Sequence, residues 1–209
     1  MMIDINTDQN FADNYKLLIG SILPRPIAVV STVNEDGTNN LAPFSFFTGV
    51  SAKPMIVAFA PLIRTSTGNK KDTVVNIERE KEFVINFVTE ENADKVNMAS
   101  AELDYGQDEF LHAGLTPLDS DMVKAKRVKE SPIHFECKLR DILCYGNDPG
   151  CGSLITGEVV KVHVDEKIYD KGRILTQVYK PMGRGAGNDW FKTDSVVEKE
   201  RLMKAQIQK

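Results

Sequence analysis

The sequence predicts a mainly β protein whose strands close into a barrel rather than a doubly wound sheet. Three observations predict it: at least six short runs suited to strands, turn chemistry at short intervals between them, and few segments with helical patterning. With 209 residues and 42 % hydrophobic content, the chain can bury one sizeable core, so a single domain over residues 1–209 is expected.

The first strand is "PIAVVSTV" (26–33), short and β-branched, followed by the turn residues "NEDG" and then "NNLAPFSFF" (39–47). "MIVAFA" (55–60) and "EFVINFV" (82–88) are near-continuous apolar runs, the pattern of strands buried on both faces. "IHFECKLRDIL" (133–143) alternates, with Ile133, Phe135, Cys137 and Leu139 opposite His134, Glu136, Lys138 and Arg140. "LITGEVVKVHVD" (154–165) follows, with Val160, Val162 and Val164 on one side. Helices are expected over 72–81, where Asp72 and Thr73 can cap, and over 91–103. A third, over 195–206, opens with Ser195 and Glu198 at capping-box spacing but has a narrow apolar face. No internal repeat or low-complexity linker divides the chain.

Composition excludes several classes. A net charge of −4 without a basic stripe argues against nucleic-acid binding. No run of about 18 apolar residues is present to span a membrane, and the acidic start lacks the regions of a signal peptide, so a cytoplasmic location is expected. Cys137, Cys144 and Cys151 stand seven apart, too far for a paired metal-ligand motif, so reduced thiols and no metal are expected. Neither a Ser-His-Asp constellation nor paired carboxylates stand out, and no side chain is assigned as a catalytic base.

Three stretches carry chemistry. In "NLAPFSFFTGVSAKP", Phe44, Phe46 and Phe47 alternate with Ser45, Thr48 and Ser51, which suits either ordinary core or the wall of a pocket for a flat, partly polar ligand. In "RTSTGNKKDTVVNI" (64–77), Arg64, Ser66, Lys70, Lys71 and Thr73 gather before a helix start, where unpaired N–H groups and the dipole suit a phosphate. On those residues alone a solvated basic loop with a routine cap is the more ordinary reading, and the spacing is not that of a Walker A loop. In "KPMGRGAGNDWF" (180–191) the glycines have the wrong spacing for a dinucleotide fingerprint, leaving a Gly-rich segment with Arg184 and the one tryptophan, Trp190. It either covers a pocket or is a loose tail.

In this order, "PRPIAVVSTV", "EDG", "NLAPFSFF", "VSAKP", "KDTVVNI", "EFVINFV", "DEFLHAGLTP", "FECKL", "TGEVVKVHV" and "PMGRGAGNDWF" resemble the flavin reductase-like FMN-binding split-barrel family, especially its flavoredoxin-like branch. The likeness runs from about residue 20 to 191. It implies a six-stranded split β-barrel of Greek-key type, a homodimer, and FMN bound near the dimer interface. It carries flavin contacts onto Ser31, Thr32, Asn40, Ala42, Pro43, Phe44, Ser45, Phe46, Val50 and Ser51, and onto Arg64, Lys71, Asp72 and Thr73 in the phosphate loop. Arg184 and Trp190 fall on the nicotinamide side, where relatives often carry a tyrosine in place of Trp190. The implied function is an oxidoreductase passing hydride or electrons from NAD(P)H, or from a redox partner protein, through FMN to an acceptor. Two alternatives stand beside it: a non-enzymatic FMN electron carrier, and a split barrel holding another ligand such as heme.

Overall fold

The computed structural model describes residues 2–104 and 106–201. In chain order it runs α1 (Phe11–Ser21), β1 (Arg25–Pro26), β2 (Ala28–Val33), β3 (Asn39–Phe44), β4 (Phe47–Ala52), β5 (Met55–Phe59), α2 (Asp72–Glu80) and β6 (Glu82–Phe87). Then come α3 (Ala93–Met98), α4 (Glu109–Ala113), β7 (Pro117–Leu118), β8 (Arg127–Val128), and the long strands β9 (Ile133–Cys144) and β10 (Ser153–Val164). A 3-10 turn (Glu166–Ile168), β11 (Tyr169–Asp170), β12 (Arg173–Ile174), α5 (Thr176–Tyr179), β13 (Met182–Arg184) and β14 (Trp190–Lys192) complete it.

The principal sheet is antiparallel in the order β3-β2-β6-β9-β10-β5-β4. Its two edge strands, β3 and β4, are neighbours in the chain, separated only by Ser45 and Phe46. A seven-stranded sheet whose opposite edges are joined by two residues must curl to bring those edge ends together. Beyond the bend no ladder joins β3 to β4, which is what splits the barrel. The expected six strands become seven because 39–47, read as one strand, breaks at Ser45 and Phe46, and the residues after the bend start β4.

The barrel interior holds Ala28, Val30, Phe44, Val57, Phe59, Phe83, Ile85, Cys137 and Ile155, with Val74 and Ile77 of α2 closing one end. Room for the Phe83 ring comes from Gly157, where a Cβ would lie 2.4 Å from that ring. Val29 and Leu41 point the other way, into a second cluster with Val96 of α3 and Phe110 of α4. Both faces of β2 and β6 are therefore buried, as expected of the apolar run of β6, whereas β5, of which the same was expected, is buried only from Val57 to Phe59.

Other expectations are corrected. His134 and Glu136, read as the polar face of β9, are buried at 6 % and 0 % exposure. The segment after β7 covers them, and Glu136 accepts from the backbone N–H of Asp121 (2.9 Å) and Met122 (2.5 Å) and contacts His163 Nε2 (2.6 Å). A buried carboxylate is tolerated when its oxygens are satisfied in this way. The helix expected over 91–103 is only α3, and α1 and α4 were not foreseen. Residues 195–201 carry no helix, and 202–206 of that expected helix lie outside the described residues. No described helix is long and apolar enough to cross a membrane.

Candidate active site

A cleft of about 330 Å³ opens where the β3–β4 bend, the start of α2, the end of α3 and the β13–β14 hairpin converge. Its walls include Asn40, Ala42, Pro43, Phe44, Ser45 and Phe46, then Arg64, Lys71, Asp72 and Thr73, and finally Arg184 and Trp190. Twelve of the sixteen residues singled out from the sequence thus share one cavity.

The phenylalanines divide their work. Phe44 is buried against Phe59 in the barrel (centroids 5.2 Å apart), whereas Phe46 lies beside Tyr15 of α1 (6.4 Å). Phe44 is thus core and cleft wall at once, and Phe46 lines the cleft. Between them, Ser45 Oγ accepts a bond from Arg25 Nε (3.2 Å), which leaves its own proton uncommitted.

The loop before α2 sorts its polar groups by pairing. Arg64 bonds the Lys70 carbonyl (2.8 Å) and pairs with Asp72 (2.9 Å). Ser66 donates to Glu102, and Lys70 pairs with Glu78. Lys71 alone of these cations has no ion pair among the described residues. Burial, and then the Arg64 charge, lower its pKa, so an arriving anion would find a poorly solvated ammonium. Lys71 is also the N-cap of α2, and no side chain caps that terminus; the Val74 N–H donates to the Lys71 carbonyl (2.9 Å), so the Asp72 and Thr73 N–H groups are the ones left for an outside partner.

Thr73 plays a different part from a phosphate-binding hydroxyl. It is 1 % exposed, and its hydroxyl donates to Asn40 Oδ1 at 2.9 Å. Thr32 donates to the same oxygen (2.9 Å), and Asn40 Nδ2 donates to Glu109 (3.0 Å). Glu109, its carboxyl pushed up by burial, also accepts from Leu41 N–H (3.2 Å). This network fixes the wall from behind, which puts Thr32 one layer back from the cavity.

Ser31 does not reach the cleft either, because it donates to the Lys126 carbonyl. Val50 and Ser51 stand exposed on the edge strand β4, away from the cavity. Sequence reasoning missed Tyr15 and the Asn97–Leu103 side of the cleft, which carry no motif of their own, and gave no role to Glu109, although it lies within the matching stretch "DEFLHAGLTP".

The Gly-rich segment is a hairpin and not a loose tail. β13 pairs with both β1 and β14. Inside its turn the Arg184 guanidinium donates to the carbonyls of Gly187 (2.6 Å) and Asp189 (3.3 Å) and lies 5.4 Å from the centre of the Trp190 ring. Gly185 is required there, since a Cβ would lie 2.7 Å from that of Asp189.

Elsewhere, Asp121, Glu136 and His163 form the one group among the described residues whose side chains converge closely enough to hold a metal ion. Glu136 already accepts the hydrogen bonds given above, so the trio reads as a hydrogen-bonded brace. The three cysteines are free thiols, Cys137 buried and Cys144 exposed.

Comparison with known proteins joins this cleft to a family. The uncharacterized protein YwrF of Bacillus subtilis is 39 % identical over 184 residues, covering 86 % of this chain and 89 % of that protein. The crystal structure of nitrilotriacetate monooxygenase component B from Bacillus cereus superposes with a TM-score of 0.89 at 37 % identity, covering 97 % of this chain and 99 % of that one. The 2-nitrobenzoate 2-nitroreductase NbaA of Pseudomonas fluorescens follows at 0.86 and 27 %, over 97 % and 98 %. A family model described as "Flavin reductase like domain" matches residues 19–181, which reach from the end of α1 to the threshold of the Arg184 hairpin. The chain belongs to the flavin reductase-like family of flavin-linked oxidoreductases.

Proposed function

We propose that this protein binds FMN in the cleft and uses it to carry hydride from NAD(P)H, or electrons from a redox partner, to an acceptor. The observation that carries the reading is the polarity of the cleft along its length. One end has an uncapped helix N-terminus and the unpaired Lys71; the other has Phe46, Tyr15, the Ser45 hydroxyl and the Arg184–Trp190 stack. A flat ring joined to a phosphate fits that sequence of groups.

When bound, FMN would supply the hydride chemistry at its ring. The chain's own residues bind and orient. Lys71 and the N–H groups of Asp72 and Thr73 at the start of α2 would hold the phosphate by charge-assisted bonds. Ser45, through its free proton, and the backbone from Ala42 to Phe46 offer hydrogen-bonding groups to the polar edge of a ring. Tyr15 and Trp190 wall the cleft and limit water.

The homodimer belongs to the same reading. Val50, at 57 % exposure, and Ser51 lie on an unpaired strand edge, and edges of this kind are commonly covered. In a homodimer β4 would present them to the partner's cleft. Sedimentation giving a stable monomer that retains FMN would remove this part.

The deciding experiment is the absorbance spectrum of the purified protein, followed by steady-state oxidation of NADH and NADPH. Flavin bands with nicotinamide turnover support the enzyme. Flavin bands without turnover of either nucleotide leave an electron carrier, and a Soret band replaces FMN with heme.

A further inference from the structure

Ser66 stands in the same basic loop as Arg64 and Lys71, yet it does not line the cleft. The loop folds back on itself. Arg64 N–H donates to the Asn69 carbonyl (3.0 Å) and Gly68 N–H to the Arg64 carbonyl (2.9 Å), with Gly68 at the positive φ (+73°) that such a turn favours. Ser66 is carried on that turn, and its Oγ donates to Glu102 Oε2 at 3.0 Å, 36 positions away. The other carboxylate oxygen, Oε1, lies 3.9 Å from Arg64 Nε.

Glu102 belongs to the opposite lip. After α3 the chain winds through tight turns: Ser100 N–H donates to the Asn97 carbonyl (3.1 Å), Ala101 N–H donates to the Met98 carbonyl (3.2 Å), and Ser100 Oγ also donates to Asn97 (2.6 Å). These turns bring Glu102 to the cleft wall, with Arg64, Lys71 and Asp72 lining the other side. Its charge acts on Lys71, opposing the effect of burial. The Ser66–Glu102 bond thus runs from lip to lip at the Lys71 end of the cleft, with its serine end outside the lining.

We propose that this strap sets which flavin the cleft accepts, favouring one that ends in a phosphomonoester over one whose phosphate continues into a second nucleotide. The proposal rests on the reading that the flavin phosphate lies at Lys71. A terminal phosphate stops inside the strap. A phosphate extended by a diphosphate link to adenosine has to pass between the lips, and the strap must open first. Glu102 acts here as a positioning residue and not as a ligand, since its carboxylate repels a phosphate and is held by Ser66 and Arg64. The carboxylate is half exposed, so opening the strap costs up to a factor of about five in affinity.

The test titrates riboflavin, FMN and FAD calorimetrically into the full chain, stripped of any flavin it carries, and into three variants. The wild-type chain should bind FAD more weakly than FMN. Ser66→Ala removes the strap but keeps the Glu102 charge, and should narrow the gap between FMN and FAD by about fivefold. Glu102→Gln removes the charge but keeps an acceptor for the Ser66 hydroxyl, so it should tighten FMN and FAD together and leave the gap as it was. Glu102→Ala should do both. Riboflavin ends short of the strap and should bind all four proteins alike. With FMN bound, the proposal alone is overturned if the wild-type chain binds FAD as tightly, if Ser66→Ala leaves the gap unchanged, or if Glu102→Gln narrows it as much as Glu102→Ala. Loss of riboflavin affinity in Ser66→Ala would make the strap a brace for the ring end, and would overturn it too. Failure of the wild-type chain to bind any of the three flavins would remove the FMN reading and this proposal with it.

Discussion

The guanidinium of Arg25 donates to the carbonyl oxygen of Gly185, 160 positions further along the chain, at 2.6 Å. The same group reaches the carbonyls of Ile19 (2.7 Å) and Ile22 (3.1 Å) and the hydroxyl of Ser45. One buried side chain thereby ties the end of α1, the β3–β4 bend and the C-terminal hairpin into a single frame around the cleft, with no carboxylate paired to it among the described residues.

Replacing Arg25 by Met should therefore loosen three walls at once. Hydrogen bonds to a charged group are worth about 1.5–3 kcal/mol each, and Arg25 is 3 % exposed, so solvent cannot substitute. A loss of about 3 kcal/mol or more is expected by urea unfolding, with red-shifted Trp190 emission as the hairpin opens. Arg25→Lys should recover little, because an ammonium cannot span acceptors placed for a planar fork. Wild-type stability and emission in Arg25→Met would show the frame to be held by other contacts.

Lys71 and Thr73 should separate cleanly. Lys71→Ala removes the unpaired cation at the start of α2 and should weaken FMN about ten- to a hundredfold while sparing riboflavin, which lacks the phosphate. Thr73→Val removes a donor to Asn40 and should cost about 1 kcal/mol of stability, with a small and equal effect on both ligands. Calorimetric titration of the two variants with the two ligands checks both expectations. Equal losses of FMN and riboflavin in Lys71→Ala would take the phosphate away from this loop.

Trp190 is the only indole in the chain and lines the cleft beside Arg184. Bound FMN should quench its emission in a saturable titration, and Arg184→Ala should reduce the effect by freeing the ring from its stack. Unchanged emission at saturating FMN would mean the hairpin does not cover the ligand.

What was legible in the sequence follows from the range of the interactions involved. β2, β5, β6, β9 and β10 announce themselves through runs of apolar or alternating residues, because strand burial is written at a period of one or two positions. β4 hides, because only its first residue, Phe47, packs against the core, and "TGVSA" after it is an exposed edge. α1 hides for a related reason: of its apolar residues only Ile19 is buried, so no helical stripe marks it. The cleft-lining residues were found largely by resemblance, and their roles were not. Ser66 meets a glutamate 36 positions on and Thr73 an asparagine 33 positions back, and no local pattern encodes such pairings. The residues alone do not separate Lys71 from Lys70; the resemblance does, and the fold shows that Lys70 is the one paired with a carboxylate.

His134 should make the fold acid-sensitive in a defined window. Its folded pKa is depressed to about 4 from an ordinary 6.5, chiefly by burial. Between those values the unfolded chain binds the proton and the folded one does not, so stability is complete above about pH 6.5 and falls as the pH drops toward 4. The gap corresponds to about 3 kcal/mol. Arg127 and His163 act in the same direction on the ring, whereas the Val128 carbonyl and Glu136 oppose them. His134→Gln keeps a donor for the Val128 carbonyl without a titrating ring. Urea unfolding of both proteins at about pH 7, 5.5 and 4.5 should show a shallower decline in the variant, the remainder being due to carboxylates common to both. Parallel declines would mean that His134 takes up its proton without opening the fold, and that the neutral ring is not what the buried site requires.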